Sequence, residues 1–212
     1  MALTGVQKTV LILIAVIALV IGATVSKVLR PTPLEKTQLA EAGIFLFDAP
    51  RTIPAIQLTS SQGERWSNAD LQGHWNLLFF GYTFCPDVCP TTMAELRQLT
   101  QGLPEAERQN LQITMISVDP NRDTPEKLKE YLGFFDPHFA GATGESDELA
   151  KLAKALSIAY IEPDTSQENY LVDHSGQVVM VDDKGRYVGF IRPPLRPEQL
   201  SQLLPKIISK AD

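Results

Sequence analysis

The sequence predicts an α/β domain that follows a membrane-crossing N-terminal helix. Three features of the 212-residue chain support this prediction. A charge-free apolar stretch lies near the N-terminus, short apolar runs alternate with helical patterns in the middle, and two further apolar runs flank a tight turn near the C-terminus. Short apolar runs that alternate with helical patterns are typical of βαβ units with a parallel sheet.

The charge-free stretch is "VLILIAVIALVIGATV" at residues 10 to 25, which lies between Lys8 and Lys27. A helix of roughly 20 apolar residues spans a bilayer, and this stretch reaches that length with its flanks. A cleaved signal peptide is the alternative, but the stretch is longer than a usual signal core and "IGATV" is a poor cleavage site. We therefore predict an uncleaved membrane anchor over residues 1–28, whose orientation the flanking charges do not fix.

Residues 29–50 are predicted to be a tether between this anchor and the domain, because Pro31, Pro33 and Pro50 interrupt regular structure there. Within the tether, the apolar segment "GIFLFDAP" is expected to pack against the edge of the domain. The globular domain is then predicted over residues 51–212. The net charge of the chain is −6, which argues against a nucleic-acid partner because phosphate binding requires a basic surface.

The first half of the domain has the order strand, helix, strand, helix. "WNLLFFGY" at 75 to 82 is a short apolar run with aromatic residues and predicts a buried strand. A proline opens the next helix, whose apolar residues fall at helical spacing: Met93, Leu96, Leu99 and Leu103. "LQITMISVD" at 111 to 119 predicts a second buried strand. The helix after it has Thr124 as N-cap and Pro125 at its first position.

The second half of the domain adds a helix, a hairpin and a last helix. "SDELAKLAKALS" at 146 to 157 predicts the helix, and "QVVMVDD" and "RYVGFI", which flank the turn residues 183–185, predict the hairpin. "RPEQLSQLLPKIIS" predicts a terminal helix that is bent or interrupted near Pro205. A βαβ unit followed by an antiparallel hairpin and a helix is a thioredoxin-like fold, in which the ends of the first two strands share one edge of the sheet.

Cys85 and Cys89, the only cysteines in the chain, follow the first of these strands. On a helix, residues four apart lie about 6 Å apart, which suits a disulfide and also lets both sulfurs face one metal ion. A structural disulfide is disfavoured because so short a loop removes little entropy from the unfolded chain. Inert thiols are disfavoured because the helix dipole is expected to lower the thiol pKa and favour the thiolate.

The residues available limit which metal two thiolates could bind. Structural zinc takes four protein ligands, whereas this chain has two cysteines and three histidines. Two soft thiolates suit copper(I), and an added imidazole suits copper(I) and copper(II). The composition therefore favours copper, provided that a histidine reaches the two sulfurs.

Only one of the three histidines is expected near the cysteines. His74 precedes the strand that leads to Cys85, and a strand of about six residues is roughly 20 Å long, so His74 lies at the far edge of the sheet. His138 follows a helix and is expected in a solvated loop at that same edge. His174 enters the hairpin strand that runs antiparallel to the cysteine strand, so it is expected beside the dithiol. Asp173 is either a partner that orients the imidazole or a turn-forming residue.

Three segments of the chain resemble the Sco/SenC family of membrane-anchored copper proteins: "GYTFCPDVCPTTMAEL", "SVDPNRDTPEKLKEYL" and "LVDHSGQVVMVDDKGRYV". The resemblance covers most of the chain from about Arg51 onward. "CPDVCP" followed by "DHSG" is far more specific than two cysteines at this spacing. The resemblance implies a thioredoxin-like copper-binding domain over residues 51–212. It also implies that Cys85, Cys89 and His174 bind one copper ion, as Cu(I) or Cu(II).

The resemblance further implies a role for the protein. Members of the family help to assemble the dinuclear copper centre of cytochrome c oxidase subunit II, as copper donor, as reductant of its cysteines, or as both. The expected partners are that subunit, a periplasmic copper donor and a thiol reductant. The sequence has no Arg- and Ser-rich presequence, so a bacterial inner membrane is expected, with a single membrane pass and the soluble domain facing the periplasm.

A second function stays open at the level of the sequence. A thiol–disulfide oxidoreductase would use Cys85 and Cys89 as a catalytic redox dithiol that attacks partner disulfides, and it would not need His174. Enzymes of this type usually carry two residues between the cysteines, whereas this chain carries three. A thiol peroxidase is a weaker third hypothesis, since the Trp75 that it could use is expected in the core.

Overall fold

A computed structural model describes residues 5–29, 36–161, 165 and 170–209. The part of the predicted tether that includes Pro31 and Pro33 lies outside the described residues. Contacts divide the chain into two units at the boundary between residues 35 and 36.

The first unit contains a single long helix, α1 (Gly5–Leu29). Its 20 residues from Gly5 to Thr24 have a mean hydropathy of 2.4, and none of the side chains described there is buried. The helix is therefore long enough and apolar enough to cross a membrane, as the sequence predicted.

The second unit alternates strands and helices around one sheet. Its elements in chain order are α2 (Lys36–Glu41), β1 (Ile44–Thr52), β2 (Gln57–Ser60), β3 (Arg65–Ser67), a short 3-10 helix (Asn68–Leu71), β4 (Trp75–Gly81), α3 (Val88–Gly102), α4 (Glu105–Gln109), β5 (Leu111–Ser117), α5 (Pro125–Gly133), β6 (Ala140–Thr143), α6 (Ser146–Ala155), β7 (Val178–Val181), β8 (Arg186–Ile191) and α7 (Pro197–Ile208). The Thr124 hydroxyl caps α5 by accepting from the Lys127 N–H, so the predicted N-cap is confirmed.

The sheet has eight strands in the order β1-β8-β7-β4-β5-β6-β2-β3. The central strand β4 is buried along its whole length, which explains its continuous apolar run. It pairs in parallel with β5 and antiparallel with β7, as the sequence predicted. Gly81 pairs with Ser117 and Phe79 pairs with Val178, so the ends of β4 and β5 meet the start of β7. We call this edge of the sheet the site rim.

The other end of these strands is called the opposite rim, where Trp75 pairs with Leu111. His74 lies immediately before it. The main-chain carbonyl of His138 accepts a hydrogen bond from the side chain of Gln112 in β5, so His138 lies at the opposite rim as well.

Strand β1 takes in the second half of the segment predicted as a tether. Ile44 pairs with Ile191 and Phe45 with Phe190, so the "GIFLFDAP" stretch forms an edge strand of the sheet. The Phe45 and Phe190 rings stack with their centroids 5.2 Å apart. The sheet therefore begins at Ile44, before the predicted start of the domain at Arg51.

The last helix, α7, continues through Pro205 and is not interrupted there. A proline inside a helix removes one hydrogen bond, which favours a break. Here the apolar face of the helix is buried through residues Leu200, Leu204, Ile207 and Ile208, and α7 packs against α3. Burial on both sides of the proline keeps the helix continuous.

Candidate metal centre

The two cysteines lie in the connection from β4 to α3, at the site rim. Cys85 precedes the helix in a turn, where its N–H donates to the Tyr82 carbonyl at 3.2 Å, and Cys89 is the second residue of α3. The expectation that one helical turn carries both cysteines is wrong for this reason. Pro86 disfavours the helical conformation for Cys85, and the helix begins at Val88 with Asp87 as its N-cap.

The two sulfurs differ in depth. Cys85 is 9% exposed and Cys89 is 0% exposed, and both are free thiols. A Cβ atom on Gly81 would lie 3.1 Å from the Cys89 sulfur and 2.7 Å from the Phe79 ring. The absence of a side chain at Gly81 therefore makes room for the deeper sulfur.

Burial raises the pKa of the Cys89 thiol far above its ordinary value, and hydrogen bonding and charge from the neighbouring Cys85 raise it further. The expectation that the helix dipole would favour the thiolate is therefore wrong for Cys89. Loss of solvent from a fully buried sulfur outweighs the helix dipole, which contributes at most about 2 kcal/mol to a charged group in the first turn. In the metal-free protein this sulfur carries its proton.

His174 lies in the loop that leads to β7, and its imidazole faces the deeper sulfur. The distance from His174 Nε2 to Cys89 Sγ is 3.8 Å. On the other side of the ring, Nδ1 lies 3.1 Å from the Ser175 carbonyl oxygen. A carbonyl only accepts hydrogen bonds, so Nδ1 carries the proton and Nε2 presents its lone pair toward the sulfur.

Two aromatic rings hold the orientation of this imidazole. The ring centroids of Phe79 and Tyr82 each lie 6.1 Å from that of His174, with interplanar angles of 73° and 84°. Burial among them lowers the pKa of His174, which keeps the imidazole neutral. The neutral form is the one that binds a metal.

The pair formed by Cys89 and His174 fits a shared metal ion. Metal bonds of about 2.3 Å to sulfur and 2.0 Å to imidazole nitrogen, as in zinc sites, place the two ligand atoms roughly 3.5–3.8 Å apart. The observed 3.8 Å agrees with this spacing. Within the described ranges, no three Cys, His, Asp or Glu side chains form a complete metal cluster. The structure thus holds a preformed pair, with the Cys85 thiol beside Cys89.

The other two histidines stay away from the cysteines. His138 is 91% exposed at the opposite rim, and its Nδ1 lies 2.9 Å from the Asp136 carboxylate. His74 lies at the start of β4, whose seven residues separate it from the dithiol turn. The placement expected for both residues from the strand order is confirmed.

Two aspartates lie near the dithiol, and neither contacts the imidazole as a hydrogen-bond partner. The Asp173 carboxylate does not hold the imidazole, because Ser175 supplies the oxygen next to Nδ1. Asp123 is buried and accepts hydrogen bonds from the Thr83 N–H, the Thr83 hydroxyl and the Ser117 hydroxyl. It therefore joins the dithiol turn to the end of β5. No local pattern in the sequence signals this link, since the partners are 40 and 6 residues away.

Comparison with protein families gives a match over most of the second unit. Residues 48–209 match the family model described as SCO1/SenC. A protein of Stutzerimonas stutzeri, whose assigned name presumes copper binding, is 39% identical over 170 residues, which are 80% of this chain and 83% of the relative.

Comparison with solved structures leads to the same family. The structure of ScoI from Bradyrhizobium japonicum with copper bound has a TM-score of 0.65 and 34% identity, and the match covers 72% of this chain and 96% of that one. The structure of ScoI from Arabidopsis thaliana with copper bound has a TM-score of 0.68 and 30% identity, over 75% of this chain and 99% of that one. The thioredoxin-like fold expected from the sequence is therefore confirmed.

Proposed function

The chain belongs to the SCO1/SenC family, and from this premise we propose that it is a copper metallochaperone. One copper ion, as Cu(I) or Cu(II), is bound by Cys85, Cys89 and His174. Copper is the cargo of the protein, received from a donor and passed to an acceptor. The copper-bound structures of two relatives support this assignment of the metal.

A single observation carries the proposal: the His174 Nε2 lone pair faces the Cys89 sulfur at 3.8 Å while Nδ1–H is anchored to a main-chain carbonyl. A histidine that binds a metal usually donates its other ring N–H in this way, which fixes the tautomer and the ring orientation. The Cys85 thiol, next to Cys89 and nearer to solvent, completes a set of two soft sulfurs and one imidazole.

Three protein ligands leave a coordination position free for the donor or the acceptor. The thiols of Cys85 and Cys89 lose their protons when copper binds, so uptake releases protons and requires the reduced dithiol. Because Cys85 is the less buried sulfur, the acceptor exchanges ligands at the outer side of the site first.

The acceptor proposed for the copper is cytochrome c oxidase subunit II, whose dinuclear copper centre the family helps to assemble. A periplasmic copper donor and a thiol reductant act before this step. We place the protein in a bacterial inner membrane through α1, over the proposed anchor 1–28, with the second unit in the periplasm. The length and hydropathy of α1 support the anchor.

The decisive experiment compares copper stoichiometry in the reduced full-length protein and in two histidine variants. Wild type and His138→Ala are expected to retain one copper ion per chain after removal of free metal, whereas His174→Ala retains less. His138 is the matched control because it lies at the opposite rim and is exposed. If His174→Ala held copper as tightly as wild type, His174 would not be a ligand.

A second function is favoured by the free thiols of Cys85 and Cys89, which lie side by side. As a thiol–disulfide oxidoreductase, the protein would reduce the cysteines of the oxidase and carry no metal. This function would replace the metallochaperone if the reduced protein failed to bind copper but reduced a disulfide substrate. The His174→Ala variant would then be as active as wild type in that reduction.

A further inference from the structure

The segment that carries His174 has two faces. We call residues 170–174 the His174 loop. Val172 is buried and Tyr170 and His174 are half-buried, whereas Leu171 and Asp173 are exposed. Alternation of this kind is typical of extended backbone, in which residues two apart share a face. Tyr170, Val172 and His174 therefore face the interior together.

The end of the His174 loop is fixed by main-chain pairing. The Asp173 carbonyl accepts from the Ile161 N–H at 3.0 Å, and the Ser175 N–H donates to the Ala159 carbonyl at 2.9 Å. These two bonds lie on either side of His174. They hold its backbone against the segment that follows α6.

The start of the His174 loop is fixed by Tyr170. Its hydroxyl donates to Asp119 Oδ1 at 2.6 Å, and Asp119 is fully buried just after β5. Arg122 completes a closed set of contacts, because its guanidinium donates to Asp119 Oδ2 and, at 3.0 Å, to the Tyr170 carbonyl. The guanidinium carbon also lies 3.6 Å from the centre of the Tyr170 ring.

The middle of the His174 loop is linked to the dithiol turn by Tyr82. The Val172 N–H donates to the Tyr82 hydroxyl at 3.3 Å. Tyr82 itself lies at the start of the dithiol turn, where its carbonyl accepts from the Cys85 N–H at 3.2 Å. Tyr82 therefore joins the loop that carries the imidazole to the turn that carries the outer sulfur.

We propose that the hydroxyl groups of Tyr82 and Tyr170 are positioning groups that hold the His174 loop over the dithiol before copper arrives. The inference rests on the proposed function, since it concerns the same metal site. A loop that is ordered in advance loses less conformational freedom when the metal binds, so the affinity is higher. Outer groups that orient metal ligands typically contribute about 10- to 100-fold to metal affinity.

The test removes one hydroxyl at a time from the full-length protein. Tyr82→Phe and Tyr170→Phe keep the rings and are each expected to weaken copper(I) binding at least about tenfold, measured on reduced protein by competition with a chelator. Tyr131→Phe is the matched control. Its hydroxyl is buried and has no hydrogen-bond partner among the described residues, so its removal is expected to leave the affinity unchanged.

A second measurement needs no metal. Amide hydrogen exchange of Ser175 in the reduced, copper-free protein is expected to be about tenfold faster in Tyr82→Phe and Tyr170→Phe than in wild type, because a lost buried hydrogen bond shifts an opening equilibrium by about this factor. Exchange at Met115 in the middle of β5 serves as the reference, because it reports global unfolding, and Ser175 is expected to exchange faster than Met115 in each variant if the opening is local.

The two measurements separate this inference from the proposed function. Wild type that binds no stoichiometric copper would overturn the proposed function, while the exchange of Ser175 would still show whether the hydroxyls hold the loop. If wild type binds copper and both Phe variants bind it as tightly as wild type does, the hydroxyls have no positioning role at the metal site. This holds whether or not Ser175 exchanges faster in the variants.

Discussion

The two rims of the central sheet carry the same kinds of polar side chain in different surroundings. At the opposite rim, the His138 imidazole is exposed to solvent and contacts the Asp136 carboxylate. At the site rim, the His174 imidazole is flanked by aromatic rings, is anchored through Nδ1, and faces a buried thiol. An anchored and enclosed imidazole presents Nε2 in one direction only. The surroundings of a histidine, rather than its presence, therefore prepare it to bind a metal.

The largest difference between the rims is expected for copper binding. Cys89→Ser removes the sulfur that faces His174, and we expect the copper affinity of the reduced protein to fall by more than about a hundredfold, since even outer groups contribute up to that factor. Asp136→Asn at the opposite rim should bind copper as wild type does. Competition with a copper(I) chelator measures both. Equal affinities for Cys89→Ser and wild type would remove the distinction between the rims.

The close packing behind the deeper sulfur predicts the next effect. Gly81→Ala places a methyl group 2.7 Å from the Phe79 ring and 3.1 Å from the Cys89 sulfur, so we expect the free energy of unfolding to fall by about 1–3 kcal/mol. Gly133→Ala is the control, because no atom lies within 4 Å of the added methyl group. Denaturant unfolding of the reduced proteins measures the effect. Similar losses for the two variants would show that the site rim is no more tightly packed than the exposed helix end.

A similar or smaller loss of stability is expected when the buried aspartate at the site rim is changed. Asp123→Asn replaces one carboxylate oxygen, which accepts from Thr83 or Ser117, with an amide N–H₂ that cannot accept. The free energy of unfolding should therefore fall by about 1–3 kcal/mol. The loss is expected at the lower end of this range because the amide oxygen still accepts one of the hydrogen bonds. Asp136→Asn keeps an oxygen for the His138 N–H and should change stability by less than about 0.5 kcal/mol. Denaturant unfolding near pH 7 compares them, and a loss in Asp136→Asn as large as in Asp123→Asn would contradict the comparison.

The smallest effect is expected in the pH dependence of stability. Burial raises the pKa of Asp123 in the folded protein above its ordinary value of 3.8. The folded state therefore takes up this proton before the unfolded state does, and the contribution of Asp123 to stability grows as the pH falls through the raised pKa toward 3.8. Asp123→Asn cannot titrate, so its deficit relative to wild type should widen over that range. Unfolding curves at a series of pH values test this, and a constant deficit would contradict it.

The sequence predicted the central strands and the position of the site well, because both follow from strong local patterns. The continuous apolar run of β4 marks a strand buried on both faces, and Thr124–Pro125 marks the start of a helix. The position of His174 beside the dithiol followed from topology alone, since β7 runs antiparallel to β4 and begins at the site rim. The edge strand β1 was instead taken as a tether, because Pro50 lies within it and its pairing partner β8 lies more than 130 residues later.

The chemistry of the site could be predicted only in part. The residue types and the spacing "CPDVCP" indicate a dithiol, but the protonation of Cys89 depends on burial that only the packed structure provides. The same holds for the contacts of Tyr82 and Tyr170, whose partners Val172 and Asp119 are 90 and 51 residues away along the chain. Long-range side-chain contacts of this kind leave no periodic trace in the sequence.

The unequal depth of the two sulfurs also bears on damage by peroxide. Oxidants arriving from solvent reach Cys85 before Cys89, so the sulfenic acid forms at the outer sulfur. The inner thiol lies beside it and condenses with it to a disulfide, which a reductant can reverse. We therefore expect disulfide formation to protect Cys85 from further oxidation to the sulfinic and sulfonic acids, which would inactivate the protein irreversibly.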